Sequence, residues 1–345
     1  MTQGRVAVVG CGSIGSRHAR NLRALGVERL ALVDLDTARA ERLAVELGGA
    51  EVAADLAGLG VAPLGAALVC TPPTSHLGVA AQAIALGAHV FCEKPLAADL
   101  AGVDALVEQV AHADRIFMMG MCYRFHPGLR ALADRVRAGA VGRVLGGHVW
   151  VGQWLPDWHP QADYRSEYSA RRALGGGVLL DCIHALDTVR WLFGDPIEVT
   201  GMLGRVSALE IDTEDVAAAI CRLADGVLIE VHADYLQRHP ANRIEVVGSD
   251  GTMAWDFPHG RLRWRRTGEE CWREERLVVD PNTMYLAELR EFLAAVATGR
   301  RVEADVREGR RTLALAVAVR EAAASGRHVR MAGTVAPHAA AGWAA

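Results

Sequence analysis

The chain has 345 residues, 51% of them hydrophobic, with 37 lysines and arginines against 41 aspartates and glutamates and a formal net charge of -4. That length holds two ordinary domains, each large enough to bury its own core. Charges of both signs are mixed along the chain, so no basic stripe tracks a phosphate backbone, and nucleic acid is not an expected partner.

Cysteines 11, 70, 92, 122, 182, 221 and 271 are scattered and lack CxxC or Cys/His spacing, which predicts reduced thiols and no metal centre. A strand-like run starts at Arg5, leaving no room for a signal peptide, and no stretch reaches the roughly 18 apolar residues of a membrane span. The expectation is a soluble, cytoplasmic protein without a membrane partner.

In chain order, strand-like runs at 5–10, 29–34, 66–70, 89–95 and 116–123 alternate with helical stretches at 13–25, 37–47, 75–86 and 99–112. Continuous apolar strands with short connections predict a parallel sheet covered on both faces, a doubly wound domain. Beyond residue 123 the strands lengthen and alternate: 143–151, 197–206, 215–223, 226–236, 242–248 and 252–257. ADG at 224–226 and SDG at 249–251 mark hairpin turns. The second domain therefore reads as a mostly antiparallel sheet with helices at 127–138, 178–193 and 284–298 on one face. RLRWRR and CWREERLVV read as a charged outer hairpin that protects an edge, and 303–325 as a last helix. The fold class is thus α/β, with a dinucleotide-binding domain over 1–122, a substrate-binding and oligomerisation domain over 123–333 and a disordered tail over 334–345.

The segment GCGSIG places Gly10, Gly12 and Gly15, with Ser13 and Ile14 between them, directly after the first strand and at the start of a helix. Each glycine has a mechanical part: a tight turn, close approach of backbone to a pyrophosphate, and close helix-to-strand contact. Asp34 ends the second strand, where a carboxylate accepts hydrogen bonds from the ribose hydroxyls of NAD and repels a 2'-phosphate. Leu35 and Asp36 supply no arginine for such a phosphate, and Arg39 would have to swing back. The expected cofactor is NAD.

GCGSIGSRHA, VCTPPTSH (69–76), FCEKPLA (91–97), GMCYRFHPGL (120–129) and GGGVLLDCIHALD (175–187) occur in an order that resembles the Gfo/Idh/MocA oxidoreductases, from residue 5 to about 330. The resemblance implies an N-terminal Rossmann domain and a C-terminal α/β domain whose large open sheet makes homodimer or homotetramer contacts. It also implies NAD(P)-dependent oxidation of a secondary hydroxyl of a sugar or cyclitol, or reduction of the ketone. Lys94 then matches the catalytic lysine, whose ammonium suits an alkoxide that develops as hydride leaves carbon. Glu93 and Pro95 would fix its turn, with Glu93 on the nicotinamide side, while Thr71, Pro72, Pro73 and His76 would line the cofactor. Tyr123 and Arg124 match a position beside the active site.

Many relatives carry an Asp-x-x-x-His pair where this chain has Asp181 and His184, one residue closer. On one continuous helix a partner at i+4 lies roughly 40° to one side and one at i+3 roughly 60° to the other, so both keep the pair on one face. His184 is the expected general base, since imidazole titrates near neutrality, and Asp181 would bond a substrate hydroxyl or orient the relay. The bland alternatives are a helix cap for Asp181 and a satisfied core histidine for His184. Asp187 would either orient the imidazole or make a structural salt bridge. Glycines 175–177 would let backbone approach substrate. Upstream, Trp154, Trp158, His159, Tyr164, Tyr168 and Arg172 are the candidates for the substrate side, with aromatic faces for C–H surfaces and polar tips for hydroxyls. A packed loop or an intersubunit contact would use the same residue types. Arg165, Arg171 and Arg172 do not by themselves define a phosphate site.

Three functions stay open on these residues. The first is an NAD-dependent dehydrogenase, the second a redox-neutral NAD-using enzyme that works by transient oxidation, an epimerase or a glycoside-cleaving enzyme, and the third a non-enzymatic nucleotide-binding regulator.

Overall fold

The computed structural model describes residues 4–60 and 62–331. The expected tail over 334–345 lies outside the described residues. The chain divides into two compact units, one running up to Cys122 and resumed at Asn282–Leu313, the other Tyr123–Pro281 with the chain from Ala314 on. Residues 282–313, expected with the second domain, therefore belong with the first.

In chain order the first unit begins β1 (Arg5–Val9), α1 (Ser13–Ala24), β2 (Leu30–Val33), α2 (Thr37–Glu46) and β3 (Glu51–Ala53). It continues with β4 (Leu64–Val69), α3 (His76–Ala85), β5 (His89–Cys92), α4 (Val103–Ala113) and β6 (Phe117–Met119). The strands form one parallel sheet in the order β3-β2-β1-β4-β5-β6. Strands β1, β2 and β4 are almost wholly buried and, Arg5 apart, apolar, as a sheet covered on both faces requires. The order reverses between β1 and β4, so their carboxyl ends flank the crevice where open α/β sheets bind ligands. Strand β5 stops at Cys92, three residues before its expected end, and the Lys94-Pro95 bond in the following loop is cis.

The second unit opens with α5 (Pro127–Arg137), β7 (Val144–Gly152), α6 (Val178–Asp181) and α7 (His184–Phe193). Then come β8 (Glu198–Gly204), β9 (Val216–Arg222), β10 (Leu228–Asp234), β11 (Ala241–Gly248), β12 (Gly251–Asp256), β13 (Arg261–Arg266) and β14 (Arg273–Arg276). Helix α8 (Thr283–Thr298) returns to the first unit, α9 (Val306–Ser325) follows, and β15 (Val329–Arg330) ends the described chain. The sheet order is β14-β13-β12-β11-β7-β10-β9-β8-β15, antiparallel throughout except for the parallel β10/β7 pair. Alternate residues of β9 and β10 are buried, the mark of a sheet with one covered face.

Helix α8 joins the first unit through polar and aromatic contacts with α1 that sequence pattern does not announce. Asn21 and Asn282 exchange side-chain amide hydrogen bonds of 3.0 and 2.7 Å. The Arg17 guanidinium lies 4.6 Å from the Tyr285 ring centre.

The single helix expected over 178–193 is broken at Cys182 and Ile183. There Ile183 N–H and Ala185 N–H donate to the carbonyls three residues back, Leu180 and Cys182, before the four-residue pattern resumes at Asp187 with Ile183. Such a tightened turn brings residues three apart nearly into line, so the short spacing from Asp181 to His184 fits the local backbone. Six of the seven cysteines are buried free thiols and Cys271 is an exposed one. No helix among the described residues is long and apolar enough to cross a membrane.

Candidate active site

The turn after β1 is built by exclusion. Gly10 has φ +91°, and a Cβ there would stand 2.7 Å from the Cys70 carbonyl oxygen. A Cβ on Gly15 would fall 1.8 Å from the Gly10 carbonyl oxygen, so only glycine lets α1 start this close to β1. Gly12, by contrast, faces open space. Helix α1 begins beside it with no side-chain cap, leaving the first-turn N–H groups around Ser13 and Ile14 directed at that space. A cradle that a Cβ would fill, backed by an uncapped helix N-terminus, fits a pyrophosphate.

Asp34 is held at the end of β2. Its Oδ2 accepts the Cys11 N–H at 2.7 Å and its Oδ1 the Asp36 N–H at 2.9 Å. Arg39 lies 3.3 Å from the same Oδ2 and 3.5 Å from Asp36, so it is drawn back onto the carboxylates. This set fits the diol of an NAD ribose.

In the loop after β4, Thr71 is half-buried, and its Oγ1 accepts the Ser75 hydroxyl at 2.8 Å; Pro72 is exposed and Pro73 buried. His76 was expected among the cofactor-lining residues, but it is buried, with Nδ1 and Nε2 each 2.7 Å from a carbonyl oxygen, of Pro95 and Thr71. It braces the two loops, because both ring nitrogens are spent on backbone. Burial depresses its pKa even though both carbonyls favour the charged form. Glu93 is buried, with Oε2 accepting the backbone N–H of the half-buried Lys94 at 3.2 Å.

In the second unit three hydroxyls converge on Asp181. Tyr168 donates to Oδ1, and Ser169 and Tyr235 donate to Oδ2 at 2.5 and 3.1 Å. Asp181 is 3% exposed and held by these donors, so its carboxylate orients Tyr168. Tyr235, wholly buried, is pushed up by its surroundings, first by burial and then by the Asp181 charge. Ser169 and Tyr235 were not singled out in the sequence, and no periodic pattern marks them, since each lies in a run of consecutive buried residues. His184 opens α7, and its ring stacks on Tyr123 with centroids 4.4 Å apart and planes 13° apart. The Tyr123 hydroxyl accepts from the Asn242 amide at 2.7 Å. Two of the expected residues are thus brought together and held in a fixed plane.

Arg124 departs from expectation. It is 3% exposed and bidentate to Asp187, through Nε at 2.8 Å and Nη2 at 2.7 Å, so it serves a buried ion pair rather than substrate. Asp187 thereby makes the salt bridge that was one of its two expected roles. Burial pushes its carboxyl up, but the Arg124 charge and hydrogen bonds outweigh that and leave it below the ordinary range.

The remaining aromatic-segment residues are partly occupied. Trp154 is covered by the Arg238 guanidinium at 3.6 Å, and Trp158 Nε1 donates to the Gln153 carbonyl at 3.2 Å while meeting the Tyr235 ring edge-on. The Tyr164 hydroxyl accepts the Glu210 N–H at 3.2 Å, and Arg172 donates to the Asp212 carbonyl at 3.1 Å. Those two are tied to the loop around 210–212, which accounts for their polar ends. His159 is exposed.

Residues 4–121 match an oxidoreductase family with an NAD-binding Rossmann fold, and 129–254 match a GFO/IDH/MocA C-terminal domain. The chain is 33% identical over 302 residues to a myo-inositol dehydrogenase of Streptomyces leeuwenhoekii, covering 85% of this chain and 89% of that protein. The chain belongs to the Gfo/Idh/MocA oxidoreductases. This member is 31% identical over 309 residues to an inositol 2-dehydrogenase of Acidothermus cellulolyticus, covering 86% and 85% of the two. Levoglucosan dehydrogenase, solved with NADH and levoglucosan, shares the fold at TM-score 0.86 and 20% identity, covering 95% of this chain and 99% of that one. As a Gfo/Idh/MocA oxidoreductase the chain uses NAD, and the Gly12 cradle with Asp34 is where its own residues fit that cofactor.

Proposed function

We propose that this oxidoreductase acts on a secondary hydroxyl of a cyclitol or sugar, or on the corresponding ketone. The observation that carries the substrate class is the match to inositol dehydrogenases over most of both chains, up to 33% identity. Bound NAD supplies the hydride acceptor. Lys94 polarises the reacting oxygen as negative charge develops on it. His184, its ring plane set by the Tyr123 stack, takes the hydroxyl proton in the oxidative direction. Asp181 keeps the Tyr168 hydroxyl turned toward itself, so the phenol oxygen presents its lone pairs outward.

The test is a panel of inositols, sugars and sugar phosphates with NAD, followed at 340 nm. Lys94→Ala and His184→Ala should each lower kcat by roughly 10²- to 10⁴-fold while NAD binding is retained. Turnover near wild type in both variants overturns these roles. Stoichiometric NADH release distinguishes net oxidation from a redox-neutral reaction, and silence across the panel would favour a regulator.

Assembly into a homodimer or homotetramer in the cytoplasm belongs to the same reading. Trp150, Met202, Ile220 and Leu228 are exposed on one face of the second sheet, by the register of β7, β10, β9 and β8. Light scattering on the purified protein reads the oligomeric state.

A further inference from the structure

One cluster of ionisable side chains takes no part in the steps above. His18 on α1, Glu93 after β5 and Glu288 on α8 are all buried, and their acid and base atoms lie within 4.8 Å of one another. Glu288 has no exposed surface, and no donor among the described residues reaches either of its oxygens, so a bond between it and Glu93 requires one of the two carboxyls to carry the proton itself. His18 Nε2 lies 2.7 Å from Glu93 Oε1, whereas its Nδ1 is buried without a partner among the described residues. That geometry places a proton on Nε2, so the imidazole donates to an ionised Glu93. The other Glu93 oxygen holds the Lys94 N–H. The absence of a side chain at Gly120 makes room for this carboxylate, since a Cβ there would stand 3.1 Å from Glu93 Oε1.

Two carboxylates this close in an apolar interior do not both ionise; one keeps its proton. Burial, then the Glu93 charge, pushes Glu288 well above the carboxylate range. The other titratable groups facing the pair add no further negative charge. Burial pushes up the thiols of Cys70, Cys92 and Cys122, and the adjacent Cys122 together with burial pushes up the Tyr285 phenol, so all four stay neutral. Arg17, over the Tyr285 ring, and Lys94 are the neighbouring cations. A divalent ion is the competing occupant, but the 2.7 Å between His18 and Glu93 is a hydrogen-bond distance, shorter than two ligands on one ion adopt.

We propose that Glu288 is a positioning residue: it holds a proton that it shares with Glu93, and so fixes the carboxylate that anchors the Lys94 backbone. Glu93 then receives the Nε2–H of His18, the N–H of Lys94 and the O–H of Glu288. The role rests on the catalytic reading of Lys94; the proton itself does not.

The experiment has two arms on the full chain with NAD. Infrared difference spectra of wild type against Glu288→Gln at neutral pH should show a protonated-carboxyl C=O band in wild type that the variant lacks; finding only carboxylate bands overturns the proposal. In the kinetic arm, Glu288→Met, which removes the donor, should lower kcat roughly tenfold with little change in KM for NAD. It should also move the acidic limb of the kcat profile to higher pH, because losing a donor to the ionised form favours protonation of Glu93. Glu288→Gln, which keeps a neutral donor of the same shape, should hold kcat within about threefold and leave the limb in place. An acidic limb that moves down in Glu288→Gln means that Glu288 was ionised and overturns the proposal. So does a stoichiometric divalent metal that Glu288→Gln releases. If Glu288→Met does not fold, the infrared band and the Glu288→Gln limb decide. A Lys94→Ala variant with wild-type turnover, alongside the infrared band, removes the positioning role through the parent reading while leaving the proton assigned.

Discussion

The turn after β1 and the break between α6 and α7 both hold functional groups still, by opposite means. In the turn the backbone does it: Gly10 and Gly15 leave no space for a side chain, and Gly12 leaves space only in front. At the break, side chains do it: one carboxylate, Asp181, gathers hydroxyls from Tyr168, Ser169 and Tyr235, while Arg124 closes on Asp187. A site held by backbone sterics tolerates almost any neighbour but no added atom. One held by buried charges tolerates added atoms better than a missing partner.

The largest effect expected from this contrast lies at the ion pair. Arg124→Met takes from the buried Asp187 the guanidinium that holds it bidentate, which should cost about 3–5 kcal/mol in urea unfolding. The double replacement Arg124→Met with Asp187→Leu should recover a large part of that, because no lone charge remains. A double variant no better than the single one would show that the side chains act by shape alone. The pH window follows from the direction of the shift. The folded value of Asp187 lies below the ordinary 3.8, so its contribution is whole above that pH and lost only as pH falls beneath it.

The same contrast explains what the sequence could tell. GCGSIG and Asp34 carry their own signal: Gly15 meets Gly10 inside the motif and Asp34 ends the next strand, so cofactor and domain type were legible before any coordinates, although the contact of Gly10 with Cys70 was not. Arg124 and Asp187 are 63 residues apart, and Asp181 and Tyr235 are 54 apart. Pairings across such distances leave no periodic trace, and a polar residue that serves the protein looks like one that serves a ligand. His76 was misread for this reason, its partners being two backbone carbonyls. Helix α8 was placed in the wrong unit because amphipathic pattern gives the buried face of a helix without naming what covers it. Glu288 sits on that face and carried no motif at all.

A middle-sized effect tests the backbone side of the comparison. Gly12→Ala faces open space and should leave unfolding stability within about 0.5 kcal/mol, yet weaken NAD roughly tenfold or more by filling the pyrophosphate approach. Gly15→Ala meets the Gly10 carbonyl at 1.8 Å and should lose about 1–3 kcal/mol of stability, with NAD affinity falling as a consequence of the shifted turn. Urea unfolding and fluorescence titration with NADH separate the two. Equal losses of stability in both would erase the distinction between an open cradle and a closed contact.

The smallest effect concerns a side chain that acts like backbone. His126 precedes α5 and caps it, its Nδ1 accepting the Gly128 N–H at 3.1 Å, which only an unprotonated Nδ1 can do. The ring is packed against Trp255 and Phe257, at centroid distances of 5.3 and 4.1 Å, and burial lowers its pKa from 6.5 to about 4. In this window the unfolded chain binds the proton and the folded chain does not, so stability should fall as pH drops from 6.5 toward 4 and gain no further slope from this group below that. At pH 5.5 the loss should be of order 1 kcal/mol. His126→Asn keeps an oxygen acceptor for the Gly128 N–H but cannot titrate, so its stability should vary less with pH over that interval than wild type. Parallel curves for the two proteins would mean that the ring is protonated in the fold, that the cap is formed some other way, and that this side chain does not belong with the backbone-like elements of the comparison.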